Sequence, residues 1–574
     1  MLIIAVLAIF ITRLFYLQII RHDHYRDRAL SSQQKEYVIN PDRGTIEMSG
    51  SDGTIPVVLN EKLYTMYGDP LIVKNPEKTA RALSQVTKTQ PEVLVELLKT
   101  KGSRYVILAK RLSEEEKSTL TALKLPGVGF QAVTYRTYPQ GGLAAPLLGF
   151  VNNDGKGTYG VEQALDKTLK GRPGQLKATT DAAGVPLAAS KNNVRIAPVS
   201  GDKAVLSIDA SMQKQLEDIL KKGLDRAKSK IGTALVMDPN TGAVKAMASL
   251  PGYDPATYYS VEDAAVFSNA NVSEPLEVGS IMKPLTAAAA LDKGVIAADT
   301  SYYDPSVWRL NDHDVTNIEE DGGAGTRNVG DILNLSINTG AAWMLMQMGG
   351  ETGTVNQKAR TTWHDYLVNH YRFGQTTGIE QGYEAEGYVP VPDDGYALQL
   401  TYANMSFGQA MTTTPIQMAA ALSAIINGGN YYQPHLVDRT ISPTGKVTKT
   451  KPKVLVSNVV SPKVSKDMIG LLEYVVQGHL ESGFSYLRFP EGYSVGGKTG
   501  TAQIAKKTGG YYEDKFNGTF LGFVGGDTPS YVIMVKVSEP GIGGYAGSQA
   551  AQPLFADIAH MLINSFDVPQ RTVR

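Results

Sequence analysis

Two strand pairs placed far apart in the chain constrain its fold more than any other feature. Thr233-Ala-Leu-Val-Met237 and Val244-Lys-Ala-Met-Ala248 flank the turn cluster Asp238-Pro-Asn-Thr-Gly242, which predicts a β-hairpin. Residues 519–524 and 531–537 flank Gly525-Gly-Asp-Thr-Pro-Ser530 in the same way. Between the two pairs the patterns are helical, over 284–291, 330–335, 341–348 and 415–426, the last stopped at Asn427-Gly428. Strands at both ends with helices between them predict an α+β domain over 206–574. Its sheet is assembled from its own terminal strands and flanked by helices.

The first twenty residues, MLIIAVLAIFITRLFYLQII, form a nearly continuous apolar run. Crossing a bilayer takes about 20 residues, and the run reaches that length when Arg13 snorkels to the headgroup layer. Residues 1–20 are therefore expected to be a transmembrane anchor. Arg13, Arg21, Arg26 and Arg28 follow the start of the run and no basic residue precedes it. By the positive-inside rule this arrangement puts the N-terminus outside; an upstream basic segment would reverse the sense. Residues 21–205 carry turn signals at Pro41-Asp42-Arg43-Gly44, Ser51-Asp52-Gly53 and Asp154-Gly155 and helical patterns at 76–88 and 91–99. They read as an α+β platform without chemistry of its own.

Composition excludes several classes of function. The 574 residues have a formal net charge of zero, so no global basic field favours nucleic acid. There is no cysteine, which removes disulfides, thiolate metal sites and thiol catalysis together. The eight histidines are scattered. His364 and His370 sit about 240° apart around a helix and share no face, so no metal is expected.

Three short stretches carry chemistry. In Ser280-Ile-Met-Lys283 the hydroxyl and the amine are three residues apart and share a helix face. Serine is a weak nucleophile that needs a base, and a lysine amine serves when burial or nearby positive charge lowers its pKa. Gly279 opens close backbone approach at the helix start, where free N–H groups can hold an oxyanion. Ser336-Ile-Asn338 lies between two helical patterns; the alternative reading of Ser336 is a helix N-cap. Val495-Gly-Gly-Lys-Thr-Gly-Thr-Ala-Gln503 reads as a strand, thinned by glycine where a ligand backbone could lie alongside. Residues 492–499 match the phosphate-loop pattern G-x-x-x-x-G-K-[ST], but the strand context argues against a nucleotide site. On such a strand Lys498 and Gly500 face one side, and Thr499 and Thr501 the other.

Ser-x-x-Lys, Ser-x-Asn and Lys-Thr-Gly in this order form the motif set of penicillin-binding proteins and serine β-lactamases. The sequence closely resembles the class B, membrane-anchored penicillin-binding proteins over nearly its whole length. Arg13-Leu-Phe-Tyr-Leu-Gln18, Arg43-Gly-Thr-Ile46, Tyr138-Pro139, Gly149-Phe150 and Gly160-Val-Glu162 resemble the family's anchor exit and platform. Asp238-Pro-x-Thr-Gly242, Ser406-Phe-Gly-Gln409 and Thr414-Pro-Ile-Gln417 resemble its catalytic-domain landmarks. Two positions depart from the pattern: Ile337 stands where β-lactamases have Asp, and Val278 where the family usually has Pro.

The resemblance implies a multi-domain α+β chain: an anchor at 1–20, an elongated non-catalytic pedestal of dimerisation type at 21–205, and a penicillin-binding transpeptidase domain at 206–574. It implies a serine D,D-transpeptidase acting on peptidoglycan stem peptides ending in D-Ala-D-Ala, inhibited by β-lactams, with carboxypeptidase activity as a possible side reaction. Ser280 is then the nucleophile and Lys283 its base. Ser336 relays a proton, Lys498 assists, and Asn338 orients the acyl peptide. Thr499, Gly500 and Thr501 bind substrate, and the backbone N–H groups of Ser280 and Thr501 form the oxyanion hole. No cofactor or metal is implied. Further implications are a single-pass protein of the cytoplasmic membrane with its catalytic domain outside and a partner glycosyltransferase of the divisome or elongasome. The compact platform favours the septal over the elongation type. The alternatives are a β-lactam-hydrolysing or β-lactam-sensing relative. Hydrolysis of the class A kind needs a Glu-activated water, and the candidates Glu384 and Glu386 lie in a Gly-rich loop expected to be solvated.

Overall fold

A computed structural model of the chain describes residues 2–179, 193–317, 323–506 and 509–572. Met1 of the expected anchor, residues 180–192 of the expected pedestal, and residues 318–322, 507–508 and 573–574 of the expected catalytic domain lie outside them. The chain forms two compact units. One comprises Met1–Thr45, Lys167–Lys203 and Ser442–Lys446; the other comprises Ile46–Asp166, Ala204–Ile441 and Val447–Arg574. The greater part of the expected pedestal thus shares a compact unit with the residues after 204.

In the first unit, helix α1 (Leu2–Phe15) continues through a single π-turn, Tyr16–Ile20. Among the described residues, Ile3–Ile20 is the one helical run long and apolar enough to cross a membrane, with mean hydropathy 2.3 and no burial within the protein. The same unit holds a three-stranded antiparallel sheet of Gln34–Ile39, Gly174–Thr179 and Val194–Ile196.

In the second unit the chain first lays down β1 (Ile46–Gly50), β2 (Gly53–Gly68), β3 (Val106–Leu112) and β4 (Val128–Thr137). β2 pairs antiparallel with β1, β3 and β4, and β5 (Lys203–Asp209) adds to β1 in parallel. The helices Pro76–Thr87 and Pro91–Leu98 cover this sheet through Ala80, Leu83, Leu94 and Leu98, which bury against Met66 and Leu108. A buried ion pair ties the layer down. Arg136 on β4 reaches Glu162 with Nη2 at 2.7 Å and Nε at 2.9 Å, and donates through Nη1 to Asn60 of β2 at 2.7 Å.

From Asp209, whose carboxylate caps the helix at Met212 N (2.8 Å), α2 (Ala210–Ala227) leads into β6 (Ile231–Met237) and β7 (Val244–Leu250). The helices α3 (Lys283–Asp292), α4 (Val329–Asn334), α5 (Asn338–Gly349), α6 (Pro415–Ile426) and α7 (Pro462–Glu481) follow. The chain then returns as β8 (Ser494–Ala505), β9 (Tyr511–Gly525), β10 (Pro529–Ser538) and α8 (Gln552–Ser565). The five strands form one antiparallel sheet in the order β7-β6-β10-β9-β8, so the two predicted strand pairs do meet, through β6 and β10. One face buries α2 and α8: Leu216, Leu220, Leu554, Ile558 and Leu562 pack on Val236, Ile533 and Val535, and Phe555 stacks on Phe520. Gly223 permits the close approach, because a Cβ there would lie 2.1 Å from Leu554 Cδ2. α3 and α6 are buried throughout, which explains sequences of Ala and Leu without a polar stripe. β8 is the edge strand of the sheet.

Candidate active site

Ser280 sits in one 3₁₀ turn, Gly279–Met282, that runs directly into α3. Backbone threading fixes this turn. Gly279 has φ +64°, and its N–H donates to the Gly408 carbonyl at 3.0 Å. On one side a Cβ at Gly408 would fall 2.1 Å from the Gly279 oxygen. On the other, a Cβ at Gly279 would fall 2.6 Å from the Thr501 oxygen, and one at Gly500 2.7 Å from the Val278 oxygen. The hydroxyl of Thr519 on β9 donates to the Val278 carbonyl at 2.9 Å, and that of Thr286 to the Ser406 carbonyl at 2.7 Å. Ser280 is thus held between the 406–409 loop and edge strand β8, itself half-buried.

Lys283 is fully buried one helical turn on. Its Nζ donates to Ser336 Oγ at 3.1 Å and also to the Ser336 carbonyl oxygen. Ser336 occupies the break between α4 and α5 at φ +59°, a left-handed conformation that L-residues enter only when their surroundings impose it. The N-cap reading of Ser336 is corrected here. The cap position of α5 is Ile337, without a side-chain cap, and the serine side chain meets the lysine instead. Asn338 begins α5; its Nδ2 donates to the Thr316 carbonyl at 3.0 Å. Thr339 hydrogen-bonds buried Asp304 at 2.7 Å and pins the same helix start.

The third stretch is a strand, as its glycines suggest, and not a phosphate loop. β8 pairs antiparallel with β9, with Lys498 opposite Leu521 and Gly500 opposite Thr519. Lys498 and Gly500 are buried while Thr499 and Thr501 are half-exposed, the expected alternation. Gly497 is required where Phe520 presses on the strand, since a Cβ there would lie 2.4 Å from the ring. Lys498 Nζ donates to Thr499 Oγ1 at 3.2 Å. Thr501 Oγ1 accepts from Gly547 N–H at 2.9 Å, which leaves its own hydroxyl proton to donate.

The structure therefore joins the first stretch to the second by a side-chain hydrogen bond and to the third by backbone contact. It adds residues that motif reading does not single out. Thr519 holds the serine turn together with Gly408 of the 406–409 landmark. Glu277, three residues before Ser280, accepts from Ala410 N–H at 3.0 Å and from the Tyr511 hydroxyl at 2.8 Å. Burial pushes its carboxyl above the usual range, partly offset by those two bonds. The expectation for Glu384 is overturned. Its carboxylate is half-buried and accepts from Thr377 N (2.7 Å), Thr377 Oγ1 (2.6 Å) and Gly378 N (3.0 Å), bracing the loop; Glu386 is exposed as anticipated.

Comparison with known proteins agrees with this geometry. Residues 232–560 match the family model of the penicillin-binding protein transpeptidase domain, and residues 38–206 that of the penicillin-binding protein dimerisation domain. The chain is 31% identical to stage V sporulation protein D of Bacillus subtilis over 564 residues, covering 97% of this chain and 83% of that protein. It is 25% identical to the peptidoglycan D,D-transpeptidase FtsI homolog of Mesostigma viride, covering 98% and 94%. Among solved structures, penicillin-binding protein 2X from Streptococcus thermophilus superposes with TM-score 0.73 at 22% identity, covering 93% and 80%. With both family models matched and the three stretches assembled on one edge of its sheet, the chain belongs to the penicillin-binding proteins of the transpeptidase family.

Proposed function

We propose that this protein is a membrane-anchored serine D,D-transpeptidase that cross-links peptidoglycan stem peptides. The observation that carries the proposal is the contact of buried Lys283 with Ser336, one helical turn from Ser280. Ser280 Oγ attacks the penultimate D-Ala carbonyl of a donor stem. The C–N bond to the terminal D-Ala breaks, and an ester to Ser280 forms. Buried Lys283 takes the hydroxyl proton. Ser336 passes a proton to the departing amine, with Lys498 assisting. Asn338, its amide nitrogen engaged by Thr316, keeps its oxygen for the acyl peptide and Lys283. Thr499 and Thr501 hold the terminal carboxylate beside Lys498, Gly500 admits the substrate backbone, and the N–H groups of Ser280 and Thr501 receive the oxyanion. A neighbouring stem's amine then displaces Ser280 and completes the cross-link.

β-Lactams mimic the donor and leave Ser280 acylated. The run 1–20 anchors the chain in the cytoplasmic membrane with the catalytic part outside. Residues 21–205 act as a pedestal for 206–574, and chain polymerisation falls to a partner glycosyltransferase, with a division role preferred. The test is labelling with fluorescent penicillin. Wild type is expected to be marked and Ser280→Ala not; equal marking of both overturns the assignment. Cross-linking of purified lipid-linked substrate separates a transpeptidase from a protein that only binds β-lactams.

A further inference from the structure

Beneath the segment that leads to Ser280 lies a buried cation that the mechanism does not use. Lys536 is on β10 with its side chain 2% exposed, and its Nζ forms an ion pair with Glu274 Oε2 at 2.9 Å. Its neighbours Val535 and Val537 join the core against α2 and α8. By alternation Lys536 therefore faces the other side of the sheet.

Three cross-strand pairings set Lys536 in a row. Thr233 of β6 stands opposite it on one side and Thr519 of β9 on the other, and Gly500 of β8 stands opposite Thr519. Side chains directly opposite one another share a face, so the row runs under residues 274–278. Glu274 meets it at Lys536. Val278 meets it at Thr519, whose hydroxyl donates to the Val278 carbonyl at 2.9 Å, and at Gly500, where a Cβ would lie 2.7 Å from the same oxygen. The segment thus crosses from β10 to edge strand β8 and delivers Gly279 and Ser280 there. Its opposite flank is held by the backbone, where Leu276 and Thr413 exchange both N–H bonds at 3.0 Å. Packing alone does not call for a lysine at 536. Met534, two residues back on the same face, is fully buried, and the Thr233 hydroxyl has no hydrogen-bond partner among the described residues. Burying an ammonium is costly unless it is paired, and the pair made here is with the first residue of the crossing segment.

We infer that Lys536 is a positioning residue for the nucleophile: through Glu274 it moors the start of the segment that carries Ser280 across the sheet. Thr519 moors the end of that segment, and the two ties together set where the Ser280 turn arrives on β8. The inference rests on the proposed acylation of Ser280.

The test follows labelling of the full chain in detergent over a range of fluorescent penicillin concentrations, which separates the acylation step from the binding that precedes it. The proteins are wild type, Lys536→Met, Glu274→Ala and the double variant. Methionine keeps the stem of the lysine without its charge, and Glu274, 52% exposed, is left in contact with water. Lys536→Met is expected to slow the acylation step about ten- to a hundredfold, the scale of a misplaced reacting group, with penicillin binding unchanged. Glu274→Ala should slow the same step. The double variant should be no slower than the slower single one, because both changes break one contact. A wild-type acylation step in Lys536→Met, a loss confined to binding, or losses that multiply in the double variant overturns the inference. If Lys536→Met does not fold, Glu274→Ala decides alone: a slowed acylation step sustains the inference and a wild-type step overturns it. Failure of wild type itself to be labelled would instead remove the functional reading on which the inference stands.

Discussion

Lys283 Nζ donates to Ser336 Oγ at 3.1 Å, from a fully buried position in α3 to a serine held in left-handed backbone between α4 and α5. In the proposed mechanism this contact is an outlet for the base: a proton collected from Ser280 would pass to the Ser336 hydroxyl. Ser336→Ala removes that outlet and leaves the lysine its bond to the residue 336 carbonyl. The acylation rate by a β-lactam should fall by about 10²–10⁴, the usual worth of a positioned proton-transfer group, with the melting temperature little changed. Lys283→Met should cost at least as much. A Ser336→Ala rate equal to wild type would remove Ser336 from the proton path.

Gly408 and Gly279 make a second sharp prediction. Gly408 has φ +85°, and an added Cβ would lie 2.1 Å from the Gly279 carbonyl oxygen, which cannot retreat because Gly279 N–H is bonded to the Gly408 carbonyl. Gly408→Ala is therefore expected to displace the Ser280 turn and slow acylation by at least about tenfold. Gly294→Ala is the control: φ is +66° there, but nothing lies within 4 Å of the new Cβ. It should cost about 1–2 kcal/mol of stability from backbone strain and leave the acylation rate unchanged. Thermal melts and rate measurements on the pair separate crowding at the site from strain alone.

What could be read from sequence divides along range. Ser280 and Lys283 share a face because three-residue spacing on a helix is local geometry, and β8 declared itself by its glycines. The pairing of the two terminal hairpins through β6 and β10 was legible as a class of fold but not as a register. Glu384 was misread because nothing near it in sequence reveals the N–H groups of Thr377 and Gly378 turning towards it. Taken alone, Ser336 could also be read as a helix cap, because local rules favour one; the contact with a lysine fifty-three residues earlier rules the cap out.

The buried pair Arg136–Glu162 should behave as such pairs do when broken. With side-chain exposures of 5% and 0%, removing one partner breaks a buried ion pair in a dry layer. Glu162→Leu is expected to cost about 3–5 kcal/mol, read as a lower denaturant midpoint. Replacing both residues with apolar ones of similar volume should recover much of the loss. A Glu162→Leu midpoint equal to wild type would show that water already reaches Arg136.

Glu277 supplies a pH dependence with a definite sign. Burial raises its pKa in the folded protein, while its hydrogen bonds from Tyr511 and Ala410 pull in the other direction without cancelling the rise. Its second oxygen, Oε2, is buried and has no hydrogen-bond partner. The folded state therefore holds this proton more tightly than the unfolded chain, whose reference value is 4.5. The resulting stability is fully present below that value and is lost as pH rises through the folded pKa. Glu277→Gln keeps an oxygen for Tyr511 and Ala410 and carries no charge to bury. The variant should match wild type at about pH 4 and melt higher at about pH 8, with the gap opening between. A gap that closes with rising pH would mean that the carboxylate is better solvated than its orphaned oxygen implies.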